Sequence, residues 1–261
     1  MSLTVKDLIV ELGGKRLLDG VSFEVPSGAR VGLVGASGSG KSLTALAILG
    51  LLPPEAKVTG SITWNGRELL TLSEHELAAL RGDELSIVFQ EPRTALNPIR
   101  NVGKQISDPL RIHRHVSRQE AREAAIAGAA KVQLPEPEKI ISRYPHQLSG
   151  GQRQRVAIAM ALACEPDLLI ADEPTTALDV TVQASVLKLL LDLVENDEMT
   201  LVFITHDLAV LSQVADYAVV LDKGRVIEQG TVKEVLSKPQ NAITEALIRD
   251  ATATIWQGGD A

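Results

Sequence analysis

The segment Gly35-Ala-Ser-Gly-Ser-Gly-Lys41-Ser42 decides the fold of this chain. It fits the pattern G-x-x-x-x-G-K-[ST], and it lies between an apolar run, Val31–Val34, and a stretch of helical character that begins at Lys41. Glycines in such a loop let backbone N–H groups turn toward phosphate oxygens, and the start of the helix adds partial positive charge. The segment therefore predicts a phosphate-binding loop between a strand and a helix.

The side chains at the end of this loop carry the expected chemistry. Lys41 would neutralise phosphate charge, and the hydroxyl of Ser42 would ligate Mg²⁺. A chance glycine-rich turn is the alternative interpretation, but the strand before the loop and the helix after it argue against it. The candidate phosphate-binding residues are Gly35, Ala36, Ser37, Gly38, Ser39, Gly40, Lys41, Ser42 and Leu43.

A second candidate group follows an apolar run later in the chain. Leu168-Leu-Ile-Ala171 is a predicted buried strand, and it ends at Asp172 and Glu173. Ligands of doubly wound sheets bind at the carboxyl ends of strands. Asp172 fits the carboxylate that helps to hold Mg²⁺, and Glu173 is placed to polarise an attacking water. Alone, this pair is better explained as a helix cap or a turn; together with the phosphate loop, it favours nucleotide hydrolysis.

The distribution of strands and helices indicates how these segments are organised. Short β-like runs fill the first third of the chain, and strands separated by helices return after residue 166. The region between is rich in alanine, and no strand is predicted there. The predicted strands are Leu3–Val10, Val21–Val25, Arg30–Val34, Ser61–Trp64, Leu85–Phe89, Asp167–Asp172, Leu201–Thr205 and Ala218–Leu221.

This pattern favours an α/β fold with a mostly parallel sheet as its core, an antiparallel β subdomain and an inserted helical subdomain. We expect one domain over 1–261. Its core would comprise 1–90 and 166–235, the helical subdomain 91–165, and a tail 236–261. Capping boxes at Ser73–Glu76 and Ser117–Glu120 predict two of the helix starts.

Composition excludes several classes of protein. The 26 Lys and Arg residues against 33 Asp and Glu residues give a net charge of −7, which disfavours a nucleic-acid partner. Cys164 is the single cysteine, so an internal disulfide and a cysteine-ligated cluster are excluded. The first residues lack the basic start and apolar stretch of a signal peptide. We expect a protein of the reducing cytosol.

Between the two candidate groups lies Leu148-Ser-Gly-Gly-Gln152. Ser149 and Gln152 alone fit a capping box that opens a helix. The five residues also match the signature sequence of ATP-binding cassette (ABC) proteins, and over about residues 1–250 the chain resembles the nucleotide-binding subunit of an ABC transporter. Its fold is then that of a P-loop NTPase (RecA-like). Gln90 matches the family's Q-loop glutamine, Thr176-Ala-Leu-Asp179 resembles its D-loop, and His206 matches its switch histidine.

Longer stretches are most similar to the ATPases of dipeptide, oligopeptide and nickel uptake systems. They are Phe89-Gln-Glu-Pro92 with Leu96-Asn-Pro98, Tyr144–Gln152, and Ile170–Val180. The resemblance implies an ATPase that binds ATP and Mg²⁺ and powers bacterial import of peptides or a related small solute. A non-transport ABC ATPase of DNA repair, chromosome or translation type is the alternative. Leu148 lies only 58 positions after Gln90, which disfavours the long coiled coil of the chromosome type.

The resemblance also implies roles and partners. Two cassettes, identical or different, would clamp ATP between them, with Ser149, Gly150, Gly151 and Gln152 at the γ-phosphate held by the other subunit. Glu173 would be the general base, His206 would hold the γ-phosphate and the attacking water, and Gln90 would contact Mg²⁺. Asp179 would act across the interface. Permease subunits in the membrane would dock beside 90–100 and the helical subdomain, a solute-binding protein would act indirectly, and the chain would be peripheral on the cytoplasmic face of the inner membrane.

One position departs from the family pattern. Family members present an aromatic residue before the second strand that stacks on adenine, whereas Leu12 is the nearest residue here. Stacking of a base on an aromatic side chain stabilises nucleic-acid complexes by roughly 1–3 kcal/mol. We therefore expect weaker adenine binding and relaxed base selectivity. The lone Cys164 also excludes the cysteine-rich, cluster-binding tail of many peptide-uptake ATPases, which weakens the assignment of peptide as the substrate.

Overall fold

The computed structural model describes residues 2–90, 95–176 and 179–256 of the chain. These residues form two compact units: unit 1 comprises Met1–Leu77 and Thr200–Ala261, and unit 2 comprises Ala78–Met199. In chain order the elements are β1 (Leu3–Leu12), β2 (Lys15–Val25), β3 (Arg30–Val34), α1 (Lys41–Ile48), β4 (Lys57–Trp64), β5 (Arg67–Glu68), α2 (Glu74–Leu80), β6 (Leu85–Val88), α3 (Val102–His113), α4 (Arg118–Lys131), α5 (Pro137–Ile140), α6 (Gly150–Ala161), β7 (Leu168–Asp172), α7 (Val180–Asn196), β8 (Thr200–Thr205), α8 (Leu208–Val214), β9 (Tyr217–Asp222), β10 (Arg225–Thr231), α9 (Val232–Ser237) and α10 (Ala242–Trp256).

The first sheet of unit 1 is antiparallel, with strand order β2-β1-β4-β5. Asn65 and Gly66 connect β4 to β5 with φ values of 51° and 78°. Positive φ at both central residues is what a tight hairpin turn requires, and Asn-Gly is the preferred pair for it. The Asn-Gly pair therefore forms the hairpin turn that its sequence favours.

The second part of unit 1 carries the parallel strands. β3 pairs in parallel with β8 on one side and β9 on the other, and β10 is antiparallel to β9. All six residues of β8 are buried, as expected for a continuous apolar strand covered on both faces. A Cβ at Gly32 of β3 would lie 1.9 Å from Leu211 Cδ1 of α8, so glycine lets this helix pack closely on the sheet.

Unit 2 combines the parallel pair β6–β7 with helices α3 to α7. α4 begins at a complete capping box, in which Ser117 Oγ accepts from the backbone of Glu120 and the Glu120 carboxylate accepts from the backbone of Ser117. These hydrogen bonds lower the pKa of Glu120. The predicted start of this helix is present. Its alanines Ala121, Ala125 and Ala129 are buried at a spacing of four residues, which places them on one face.

Several strands differ from the predicted ones. β4 begins at Lys57 rather than Ser61, because the residues before Ser61 also pair with β1. β2 begins at Lys15 rather than Val21, because the turn at Gly13 and Gly14 brings its exposed first residues into pairing with β1. β10 is not among the predicted strands, since Arg225–Thr231 alternates too weakly to indicate a strand. α6 begins at Gly150, directly after its cap Ser149, where the capping box indicates a helix start.

The predicted subdomain borders at 91, 165 and 235 differ from the borders of the compact units, because unit 2 contains β6, β7 and α7 as well as the inserted helices. The assignment of one domain with an inserted helical subdomain stays a prediction. In the described residues, no helix is long and apolar enough to cross a bilayer.

Candidate functional site

The phosphate loop of unit 1 connects β3 to α1. Lys41 is the first residue of α1, and its Nζ donates to the carbonyl oxygens of Gly35 and Ala36 at 2.9 and 3.0 Å. The Lys41 side chain is buried, with 5% of its surface exposed. The loop therefore curls around a buried ammonium group, which concentrates positive charge where phosphate oxygens are expected.

Two glycines make the path of this loop possible. A Cβ at Gly35 would lie 2.1 Å from the carbonyl oxygen of Leu221, which is backbone and cannot move aside. Gly40 is the N-cap of α1 with φ 106°, and a Cβ there would lie 2.5 Å from Leu18 Cδ2. The glycines are therefore required by the packing of the loop against its neighbours as well as by its function.

The loop is also tied to the turn between β9 and β10. The backbone N–H of Gly224 donates to Ser39 O at 2.9 Å, and Gly224 O accepts from Asp19 N at 2.8 Å. Gly224 has φ 78°, and a Cβ there would lie 2.2 Å from Leu17 O. One glycine thus links the phosphate loop to the start of β2.

His206 directly follows β8 in unit 1. Because Val34 pairs in parallel with Thr205, the phosphate loop and His206 leave the same edge of the sheet. The next residue, Asp207, caps α8 by accepting from Ala209 N at 2.7 Å. The strand and the cap together fix the backbone on both sides of the histidine.

In unit 2 the parallel pairing of β6 and β7 brings Gln90 close to Asp172 and Glu173. Val88 pairs in parallel with Ala171, so Gln90 and Asp172 lie at neighbouring strand ends. Gln90 Nε2 donates to Glu173 Oε2 at 2.9 Å. Asp172 is 7% exposed. The structure thus joins two residues of the predicted catalytic set that lie 83 positions apart in the chain.

Glu173 is held in an unusual backbone conformation. Its φ is 43°, in the left-handed region that a residue with a side chain rarely adopts. Thr176 Oγ1 donates to Glu173 Oε2 at 3.0 Å and to Glu173 O at 3.2 Å. Strained backbone of this kind is concentrated at functional sites. The contact from Thr176 is absent from the sequence predictions, although a threonine three residues after an acid is a recognisable turn pattern.

The signature segment forms the beginning of α6. Ser149 Oγ accepts from Gln152 N at 3.2 Å, and Gln152 Oε1 accepts from Ser149 N at 3.0 Å. The predicted capping box is therefore present. In both bonds the side-chain oxygen is the acceptor. The hydroxyl proton of Ser149 and the side-chain NH₂ of Gln152 therefore remain as donors toward solvent.

Arginines of α6 fix the position of this segment within unit 2. Arg153 Nη1 donates to Leu148 O at 2.7 Å, and Arg155 donates to Val132 O at 2.8 Å and to Ser185 Oγ at 2.9 Å. Burial lowers the pKa of Arg155. The helix start is therefore anchored to the segment before it and to α7 behind it.

Gly151 lies against α7. A Cβ at this glycine would lie 2.5 Å from Val182 Cγ1. Asp179, the predicted D-loop acid, caps α7 by accepting from Val182 N at 3.0 Å. Ala177 and Leu178 of the predicted D-loop, and Glu91 and Pro92 beside the Q-loop, lie outside the described residues.

Comparison with known proteins identifies relatives. The sequence profile of the ABC transporter family matches residues 18–176. The probable peptide ABC transporter ATP-binding protein y4tR of Sinorhizobium fredii is 46% identical over 252 residues, which are 94% of this chain and 75% of that protein. The oligopeptide transport ATP-binding protein OppD of Escherichia coli is 45% identical over 250 residues, 94% of this chain and 74% of that protein.

Solved structures give the same result. A dimeric post-hydrolysis state of the ATP-binding cassette MJ0796, bound to ADP and phosphate, has a TM-score of 0.77 and 31% sequence identity. The match covers 88% of this chain and 98% of that chain. The chain is thus a cassette of the P-loop NTPase class, and the predicted fold class is confirmed.

The protein belongs to the ABC transporter family, in which it is an ATP-binding subunit. The family resemblance and the prediction of an ATPase are confirmed by these relatives. The roles of individual residues stay predictions.

Proposed function

We propose that this chain binds and hydrolyses ATP to power the import of peptides or a related small solute. The observation that carries the proposal is the identity of about 45% over nearly the whole chain to proteins named as ATP-binding components of peptide and oligopeptide transporters. The relatives and neighbours named above are all transport components or cassettes, which disfavours a role in DNA repair, chromosome organisation or translation.

In unit 1 the phosphate loop, Gly35–Leu43, would bind the nucleotide phosphates. Lys41 supports this role, because its ammonium group is buried within the loop by the carbonyls of Gly35 and Ala36. His206 would contact the γ-phosphate, since it leaves the sheet at the same edge as the loop. The backbone N–H groups at the start of α1 would add hydrogen bonds to the phosphates.

Magnesium is proposed as the cofactor, with Ser42, Gln90 and Asp172 as its protein contacts. Each offers an oxygen, the type of ligand that Mg²⁺ prefers, and the hydrogen bond from Gln90 Nε2 leaves the amide oxygen of this side chain for a ligand. The ion would neutralise charge on the phosphates when it is bound.

Glu173 would act as the general base that accepts a proton from the attacking water. The donors Gln90 Nε2 and Thr176 Oγ1 both reach the same oxygen, Oε2, so they fix the rotamer of the carboxylate. A base whose orientation is fixed in this way loses less free energy when the reactive geometry is formed.

A second cassette would complete the site. Ser149, Gly150, Gly151 and Gln152 would contact ATP held by that subunit, with the Ser149 hydroxyl as the donor that its cap leaves available. Asp179 would lie at the interface, where its position at the start of α7 supports a contact to a second chain. Permease subunits, a solute-binding protein acting indirectly, and a location on the cytoplasmic face of the inner membrane complete the proposal.

The variant Glu173→Gln tests this function. It keeps the shape of the side chain and removes its basicity, so we expect ATP affinity within about twofold of the wild type and turnover reduced by at least about 100-fold, the usual contribution of a general base. Affinity is measured by titration calorimetry, and turnover by phosphate release.

Glu198→Gln is the matched control. Glu198 lies in the same unit, is exposed and also has positive φ, at 50°. We expect this variant to turn over ATP at the wild-type rate. If Glu173→Gln hydrolyses ATP as fast as the control, Glu173 is not the base.

A further inference from the structure

A groove on the surface of unit 2 has a charge opposite to that of the whole chain. It lies between α3 and α4, has a volume of about 530 Å³, and is also lined by Ile141. Four of its lining side chains are cations, and none is a carboxylate: Lys104 and Arg111 on α3, Arg118 and Arg122 on α4. The chain as a whole has a net charge of −7.

The cations of α3 and those of α4 line the same groove. Lys104 and Arg111 are seven residues apart, and Arg118 and Arg122 are four apart, so each pair lies on one helix face. The rise of 1.5 Å per residue spreads Lys104 and Arg111 over roughly 10 Å. All four are exposed, and within 2–90, 95–176 and 179–256 none of them takes part in an ion pair.

The floor of the groove is made of small side chains. Gly103, Ser107, Ala121 and Ala125 are buried between the two rows of cations. The hydroxyl of Ser107 donates to Gly103 O at 2.9 Å, so it is already satisfied by its own helix. A ligand in the groove would therefore be recognised by the cations above the floor, while the small residues leave room for it.

Four unpaired cations facing one cavity repel one another, and an anion of high charge relieves that repulsion. A carboxylate supplies one negative charge, whereas a phosphate group carries about −1.5 to −2 at neutral pH. Arginine, which provides three of the four cations, binds phosphate oxygens with two parallel hydrogen bonds. The volume falls within the range of small-ligand pockets, roughly 300–1,000 Å³.

We propose that the groove between α3 and α4 is a second anion site, separate from the phosphate loop, that binds a phosphate-bearing ligand through Lys104, Arg111, Arg118 and Arg122. The phosphate belongs either to a soluble phosphoester or polyphosphate, or to the headgroup of an anionic lipid. A ligand bound in this groove would contact both α3 and α4, and it would be a different molecule from the nucleotide that is hydrolysed.

Titration calorimetry with pyrophosphate tests the site on the full chain. We expect the wild type to bind two equivalents, one at the phosphate loop and one in the groove. Arg111→Gln/Arg122→Gln removes two of the cations and is expected to weaken one of the two binding events by at least about tenfold, equivalent to about 1.4 kcal/mol. Lys41→Ala is expected to weaken the other event and leave the groove unchanged.

The matched control is Lys57→Gln/Lys233→Gln, which makes the same change in net charge at two exposed lysines outside the groove. We expect both binding events to persist in it. The proposal is overturned if no binding event of the wild type is weakened more by Arg111→Gln/Arg122→Gln than by the control substitutions. A single event that is weakened in the groove variant and unchanged in Lys41→Ala would support the groove and contradict the phosphate loop instead.

Vesicle flotation separates the two sources of phosphate. Vesicles containing phosphatidylglycerol are compared with vesicles of phosphatidylcholine alone. Retention on the anionic vesicles that is lost in Arg111→Gln/Arg122→Gln and kept in the control identifies a lipid headgroup. A groove-dependent pyrophosphate event without such retention identifies a soluble ligand.

Discussion

The N-termini of α1 and α6 differ in the groups that they offer to an anion. The N-cap of α1 is Gly40, which has no side chain and a left-handed backbone. The N-cap of α6 is Ser149, which forms a complete capping box with Gln152. Both are preceded or followed by glycines, and both are predicted to contact ATP. The first therefore presents backbone and one lysine to the ligand, whereas the second presents side-chain donors that its own cap has oriented.

The largest expected difference between the two starts concerns nucleotide affinity. Lys41→Ala removes a charged group whose hydrogen bonds to phosphate are each worth about 1.5–3 kcal/mol, so ATP affinity should fall by at least about tenfold. Ser149→Ala removes the cap of α6, which should lower the free energy of unfolding by about 1 kcal/mol while leaving ATP affinity of the isolated subunit within about twofold.

Titration calorimetry gives the affinities, and thermal unfolding gives the stabilities. The proposed difference between the starts of α1 and α6 is contradicted if Lys41→Ala binds ATP as well as the wild type. It is also contradicted if Ser149→Ala weakens ATP binding to the monomer as much as Lys41→Ala does.

A smaller effect is expected from the glycine of α6. In Gly151→Ala the new methyl group would lie 2.5 Å from Val182 Cγ1, so we expect unfolding to become easier by about 1–3 kcal/mol, the usual effect of overpacking. Val182→Ala should relieve the contact, and the double variant should be more stable than Gly151→Ala alone.

A double-mutant cycle measured by urea unfolding checks this coupling. Additive effects of the two substitutions would show that Gly151 does not depend on α7. Gly151 would then be required for contact with the ligand rather than for packing of α6 against α7.

The smallest expected effect concerns the base of the nucleotide. Leu12→Tyr supplies the aromatic side chain that the family presents there, and stacking at the low end of roughly 1–3 kcal/mol should raise ATP affinity about fivefold, with GTP affinity measured beside it. Leu51→Tyr, at an exposed leucine elsewhere in unit 1, serves as the control and should change neither affinity. Strong selectivity for ATP in the wild type would show that another residue or the second subunit recognises the base.

Much of the fold was predictable because its signals are local. The strand before Gly35, the hairpin at Asn65 and Gly66, and the capping boxes at Ser117 and Ser149 each depend on residues within a few positions of one another. The apolar strands β3, β7 and β8 are predicted for the same reason, since burial on both faces requires a continuous apolar run.

Pairing between segments that are far apart in the chain could not be predicted from the sequence. The first residues of β2 are exposed and do not alternate, and they form a strand because β1 pairs with them. The hydrogen bond from Gln90 to Glu173 likewise depends on the neighbouring positions of β6 and β7. The left-handed backbone of Glu173 is set by its surroundings, because the intrinsic preference of a glutamate opposes it.

The bond between Gly224 and the phosphate loop affects how the chain tolerates insertions. Turns exposed at a protein surface commonly accept added residues, and the turn at Asn65 and Gly66 fits that description. The turn at Lys223 and Gly224 joins adjacent strands just as briefly, yet its backbone is bonded to Ser39 and Asp19. A tag or reporter peptide placed there would displace the phosphate loop, whereas the same peptide after Asn65 would leave it in place.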